Sequence, residues 1–180
     1  MKAPAANLVL IGLRGSGKTT LGRRVATLLG HSFKDLDDET ALLLGAKTAG
    51  EALERHGEKA FRDAEALLLP GALARTNTVC ALGGGTPTAP GAERLLEQAR
   101  DGGQTAIIYL RANPVILRER LVATDISSRP SLTGAGTLEE IDSVFHARDA
   151  LYRRLATHTV EVGAGSAEEL AVKIAGFVSA

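Results

Sequence analysis

Cysteine is nearly absent from this chain: Cys80 is the one thiol among 180 residues, and it lies in an apolar run. That excludes an internal disulfide framework and fits a reducing compartment, so a cytoplasmic location is expected, with Cys80 read as a buried, inert thiol. Net charge is absent as well. Lys plus Arg and Asp plus Glu each number 21, so no overall field favours nucleic acid or an anionic membrane, and neither is expected as a partner. No apolar run approaches bilayer-spanning length, and residues 1–7 lack the apolar stretch of a secretion signal. The four histidines, His31, His56, His146 and His158, show no metal-ligand spacing and are read as structural or surface residues. Repeats, low-complexity tracts and long linkers are also missing. What remains suits a single domain, 1–180, long enough to bury a substantial core. No long apolar surface stripe forces a dimer, so a monomer is expected.

Against these absences stands one dense motif. Residues Gly12-Leu13-Arg14-Gly15-Ser16-Gly17-Lys18-Thr19 complete the phosphate-loop pattern G-x-x-x-x-G-K-[ST]. The apolar run Leu8-Val9-Leu10-Ile11 precedes them as a buried parallel strand. A helical pattern follows, with apolar residues at Leu21, Val25, Leu28 and Leu29. Glycines let backbone N–H groups converge on phosphate oxygens, and the helix N-terminus adds the positive end of its dipole. Lys18 can reach the β- and γ-phosphates, and the Thr19 hydroxyl can ligate Mg²⁺. The whole loop, together with Thr20, is expected to bind a nucleoside triphosphate.

Further along, strands are expected at Leu8–Gly12, Ser32–Leu36, Thr78–Leu82, Thr105–Leu110 and His158–Val162. Helices are expected at Lys18–Leu29, 51–69, Gly91–Ala99, Pro114–Val122, Leu138–Ala156 and Ala167–Val178, with Gly30 closing the first. Strands separated by helices imply an α/β fold with a parallel sheet covered on both faces, ligands lying at the carboxyl ends of the strands.

The chemically suggestive residues fall near such ends. Period-two alternation sends Asp35 and Asp37 to one side of the second strand, where one carboxylate can serve a metal and the other a substrate hydroxyl. A helix cap at Asp37 or Asp38 is the local alternative. Charges in Gly57–Glu65 read mostly as a solvated helix face, with Glu58–Arg62 an i,i+4 pair; only Arg62, anchored by Phe61, stands out. Gly83-Gly84-Gly85 at the third strand's end weakens the fold entropically, which suggests a close approach to the backbone rather than a plain turn. Arg129 lies in a polar segment, 124–136, that reads as a lid. Arg148 opens an arginine-rich stretch, and nothing local separates it from its neighbours.

Taken together, the chain resembles the shikimate kinases, small members of the nucleoside monophosphate kinase-like P-loop group. The resemblance rests on the phosphate loop, Asp35-x-Asp37, Phe61-Arg62, Leu82-Gly83-Gly84-Gly85, and Arg129-Pro130 followed by Arg148-x-x-Leu151-Tyr152. It implies a three-layer P-loop kinase fold with a five-stranded parallel sheet flanked by helices, a substrate-binding segment at about 35–66 and a lid at about 123–136. It also implies ATP-dependent phosphorylation of the 3-hydroxyl of shikimate, as a step towards aromatic amino acids. Asp35 and Thr19 would serve Mg²⁺. Asp37 would grip ring hydroxyls and accept the proton from the attacking one, with Lys18 and Arg129 as its catalytic partners on the phosphoryl group. Arg62 and Arg148 would clamp the carboxylate, backbone around Gly83, Gly84 and Gly85 would complete the pocket, and Arg120 would lie against adenine.

Ser131, where leucine commonly follows Arg-Pro, and Thr40-Ala41, where an apolar residue and glutamate are common, depart from the family pattern. Two alternatives stand beside this reading: a kinase for another polyol or sugar acid such as gluconate, and a non-catalytic ligand-sensing module of a transcription regulator. The intact Lys18, Asp35, Asp37 and Arg129, and a chain that begins almost at its first strand, speak against the second.

Overall fold

The computed structural model describes residues 7–123, 138, 140–163 and 165–179. Strand β1 (Asn7–Ile11) is buried along its whole length, as a strand covered on both faces must be. It pairs in parallel with β3 (Thr78–Ala81) on one side, Leu8 opposite Val79, and with β4 (Thr105–Arg111) on the other, Val9 opposite Ile107. Strands β2 (Ser32–Asp35) and β5 (His158–Glu161) form the edges, giving the order β2-β3-β1-β4-β5, all parallel. All five expected strands are present, within a residue or two of their expected ends.

Each strand returns through helix: α1 (Lys18–Leu29), α2 (Leu36–Leu43), α3 (Ala49–Leu73), α4 (Ala92–Asp101), α5 (Pro114–Val122), α6 (Ile141–Leu155) and α7 (Ala167–Ser179). Helix α1 packs with α7, and α4 with α6, so the sheet lies between helical layers. Leu8, Leu10, Ile11, Ile107, Ile108 and Leu110 are fully buried between those layers, each stabilising the fold by about 1.5–3 kcal/mol. The chain passes from one side of β1 to the other after β3, so the carboxyl ends of β1 and β3 open onto the crevice where such sheets hold ligands. No helix among the described residues is long and apolar enough to cross a membrane.

Three elements differ from expectation. The chain does not continue as a strand past Asp35. Asp35 caps α2, its Oδ1 accepting the Asp37 N–H at 3.1 Å, so Asp37 sits in the first turn of a helix and period-two alternation does not apply to the pair. The helix expected at 51–69 starts at Ala49 under a Thr48 cap, runs to Leu73, and breaks at Gly57, whose φ of 79° only glycine adopts readily. Helix α6 begins at Ile141 rather than Leu138. A second, smaller apolar cluster of Ala41, Ala46, Ala52 and Phe61 joins α2 to α3. Phe61 thus anchors Arg62, as its place in the sequence suggests.

Candidate active site

The loop after β1 turns back over the start of α1 because its glycines permit it. Gly15 and Gly17 have φ of 83° and 93°, and a Cβ on Gly12 would lie 2.6 Å from the Leu110 carbonyl. Lys18 bends over this loop, its Nζ donating to the Gly12 carbonyl at 2.8 Å and the Leu13 carbonyl at 3.1 Å. The Ser16 hydroxyl is buried behind the loop with no hydrogen-bond partner among the described residues, 2.7 Å from where a Cβ on Gly12 would lie. Arg120 reaches across from α5 to the Gly15 and Ser16 carbonyls at 3.4 Å each. The loop thus folds back around one ammonium just where α1 begins, and a helix N-terminus is where free backbone N–H groups meet an anion.

Thr19 opens α1, and its hydroxyl donates to Asp35 Oδ2 at 2.8 Å. The two Asp35 oxygens are thus divided, Oδ1 on the cap of α2 and Oδ2 towards the phosphate loop. Thr19 and Asp35 both line the cleft. Among the described residues there is no cluster of three or more His, Cys, Asp or Glu side chains that would cage a metal. A hydroxyl beside one carboxylate is the donor set expected for an ion that takes its remaining ligands from phosphates and water.

The acceptor side is built around Gly83-Gly84-Gly85, and each glycine admits a different neighbour. A Cβ on Gly83 would lie 2.5 Å from both Asp37 Oδ1 and Glu65 Oε1; on Gly84, 3.2 Å from the Arg14 amide nitrogen; on Gly85, 3.1 Å from Arg62 Nη2. The triple glycine is a meeting point for the phosphate loop, α2 and α3. Glu65 lies fully buried beneath it. Its Oε2 accepts Arg62 Nη1 at 2.7 Å, and its Oε1 accepts the hydroxyl of Thr86 in the 3₁₀ turn Thr86–Thr88. Burial works against charge on Arg62, but the hydrogen bond and charge of Glu65, with Glu58 and Asp37, outweigh it and hold its pKa above the usual value. The expected Glu58–Arg62 pair is present at 3.8 Å, longer than the Arg62–Glu65 contact. Glu65 therefore corrects the reading of this stretch as a solvated face.

On the opposite wall, Arg148 of α6 donates to the Gly84 carbonyl at 3.0 Å, and Tyr152 donates to the same oxygen at 2.6 Å. Asp149, between them in sequence, accepts from Tyr109 at 2.9 Å, Arg111 at 2.7 Å and Arg153 at 3.0 Å. One cleft of about 940 Å³ takes in Lys18, Thr19, Asp35, Asp37, Arg62 and Arg148, together with Arg120 and Leu170.

This geometry has counterparts among known proteins. The shikimate kinase family model matches residues 14–179. The chain belongs to the shikimate kinase family. A shikimate kinase of Burkholderia thailandensis is 36% identical over 169 residues, covering 93% of this chain and 86% of its own length. The shikimate kinase of Oleidesulfovibrio alaskensis is 40% identical over 155 residues, 86% of this chain and 87% of that protein. A structure of the Acinetobacter baumannii shikimate kinase in complex with shikimate superposes with a TM-score of 0.82 at 34% identity, covering 96% of this chain and 90% of that one.

As a shikimate kinase-family enzyme, the chain brings its sequence-expected site residues together almost completely. Leu13, Arg14, Gly15, Gly17 to Thr20, Asp35, Asp37, Arg62, Gly84, Gly85, Arg120 and Arg148 line the one cleft, whereas Gly12, Ser16 and Gly83 are buried and do not line it. Arg129, with Ser131 and nearly all of the expected lid, lies outside the described residues. Glu65 and Thr86 were missed. The spacing of Glu65 three residues after Arg62 carried the signal, because i,i+3 partners share a helix face.

Proposed function

We infer that this chain transfers the γ-phosphoryl group of ATP to the 3-hydroxyl of shikimate, releasing shikimate 3-phosphate and ADP. The observation that carries the reading is the convergence, across one triple glycine, of a phosphate loop with a carboxylate and two arginines. Lys18 leaves the loop carbonyls to follow the β- and γ-phosphates, which outcompete neutral acceptors for its charge. Asp37 orients the attacking hydroxyl and takes its proton. Arg62 and Arg148 grip the carboxylate, Glu65 holding the first in place, and backbone at Gly83–Gly85 borders the ring. Arg129 is assigned, on its Arg-Pro motif, to the charge of the transferring group, and 123–136 to a lid that excludes water.

The bound nucleotide is read as its Mg²⁺ complex, with Thr19 and Asp35 as the residues that would hold the ion; it neutralises phosphate charge. Neither residue is asked for more than an oxygen donor. Most of the rate then comes from positioning and preorganised charge. The chain is taken to work as one domain with a substrate-binding segment at 35–66, as a monomer in the cytoplasm.

The test is ADP release from MgATP with shikimate, and with gluconate and quinate as controls. Shikimate-dependent release with the 3-phosphate as product is expected. Release that follows gluconate instead would move the reading to a sugar-acid kinase, and shikimate binding without turnover would point to a sensing module.

A further inference from the structure

Tyr152 carries a hydroxyl to a position with no solvent exposure, which is tolerated only when the group finds a partner. The partner is the Gly84 carbonyl at 2.6 Å, and the same oxygen accepts Arg148 Nη1 at 3.0 Å. A carbonyl oxygen has two lone pairs, and these two donors occupy both. Arg148 and Tyr152 stand four residues apart on α6, so they present to one face and meet the peptide side by side. From its other side Gly84 approaches the phosphate loop, where a Cβ would lie 3.2 Å from the Arg14 nitrogen.

The phenol is held from behind. The Tyr109 ring meets Tyr152 edge to face, centroids 5.5 Å apart at 83°, and the Tyr109 hydroxyl is tied to Asp149 at 2.9 Å. Burial pushes the Tyr152 hydroxyl up to about 12, against the pull of Arg148, so it stays a neutral donor near neutral pH.

We propose that Tyr152 is a positioning residue for the acceptor: by fixing the Gly84 carbonyl it fixes one N–H of Arg148 and thereby aims the rest of that guanidinium into the cleft. The inference rests on the reading of Arg148 as a carboxylate contact. An arginine has five N–H donors in a rigid plane, so holding one of them sets the direction of the others. Without the phenol, the carbonyl keeps a single donor, and Arg148 keeps its charge but loses its aim.

The experiment compares the unsubstituted protein with Tyr152→Phe, Arg148→Ala and the double variant, by steady-state kinetics and by isothermal titration with shikimate. In Tyr152→Phe the KM for shikimate should rise roughly three- to tenfold, while kcat and the KM for ATP stay within about twofold. In the Arg148→Ala background the same change should cost no further shikimate affinity, because its effect passes through Arg148. Additive losses in the double variant, an unchanged KM for shikimate, or equal rises in both KM values would overturn the proposal.

Should Tyr152→Phe not fold, the chain's two tyrosines allow a second measurement, with ring-¹³C tyrosine in the unsubstituted protein and assignment through Tyr109→Phe. Saturating shikimate should shift the Tyr152 resonance, and its invariance would overturn the proposal as well. Absence of any shikimate-dependent turnover in the unsubstituted protein would overturn the proposed function itself, and this inference with it.

Discussion

Between Gly12 and Thr19 the nucleotide side of the cleft is made from consecutive residues, whereas the acceptor side draws on α2, α3, the turn after β3, and α6. The nucleotide side is shaped by backbone: positive φ at Gly15 and Gly17, and a lysine bonded to the carbonyls of its own loop. The acceptor side is shaped by side-chain pairing: Arg62 on Glu65, Glu65 on Thr86, Arg148 and Tyr152 on Gly84. A side chain on the first side can be removed with little harm to the fold, since few partners are left unpaired. On the second, a lesion leaves a buried polar group without its partner, and stability and binding should fall together.

Lys18→Ala separates the two sides most sharply. It should reduce kcat on the order of a thousandfold or more, with an unchanged circular dichroism spectrum and shikimate affinity intact by titration. Loss of shikimate affinity of the same size would mean the two sides are not separable.

Gly83→Ala strikes where α2 and α3 meet. The new Cβ would lie 2.5 Å from Asp37 Oδ1 and from Glu65 Oε1, and Glu65 is fully buried and held on both oxygens. The variant should lose roughly 1–3 kcal/mol of stability through overpacking, and shikimate affinity at least about tenfold through displaced contacts. Its affinity for ATP should stay near that of the unsubstituted protein. Thermal denaturation and paired titrations would decide, and a variant of normal stability and shikimate affinity would end the meeting-point argument.

The smallest effect is expected at Asp149, behind the acceptor wall. Burial opposes its charge, but hydrogen bonds from Arg111, Arg153 and Tyr109, with the charge of Arg111, outweigh that and hold its pKa below that of an ordinary aspartate, 3.8. A carboxyl depressed on folding contributes stability that is complete above its unfolded value and is lost as pH falls through its folded one. Asp149→Asn should therefore lower the midpoint by about 2–4 °C near pH 7. The gap to the unsubstituted protein should narrow as the pH is taken below 3.8. A gap that is constant across that range would assign the contribution to hydrogen bonds alone.

The two sides also differed in how far they could be read beforehand. A phosphate loop is a local object, so its eight residues, its strand and its helix were all visible in one stretch of sequence. For Asp35 and Asp37 the geometry expected from the sequence is wrong. Strand alternation assumes the strand continues, and here Asp35 ends it by capping α2. Glu65 reads as part of a solvated face because a charge is rarely buried unless it is paired; one partner, Arg62, is three residues away, but the second, Thr86, is 21 residues away. Tyr152 belonged to a recognised motif, yet its task depends on a carbonyl 68 residues distant.

By itself the sequence determined the alternation of strands and helices, the phosphate loop, and the set of residue types that belongs to the shikimate kinase family. Periodicity, glycine placement and capping act over a few residues, so they are written in a few residues. Tertiary structure alone decided which neighbour each of Gly83, Gly84 and Gly85 admits, which carboxylate holds Arg62, and which carbonyl Arg148 and Tyr152 share. Those contacts arise where the carboxyl ends of β1 and β3 lie side by side in the sheet with α3 and α6 packed around them. Short-range chemistry between distant residues exists only once the sheet has brought their strands together.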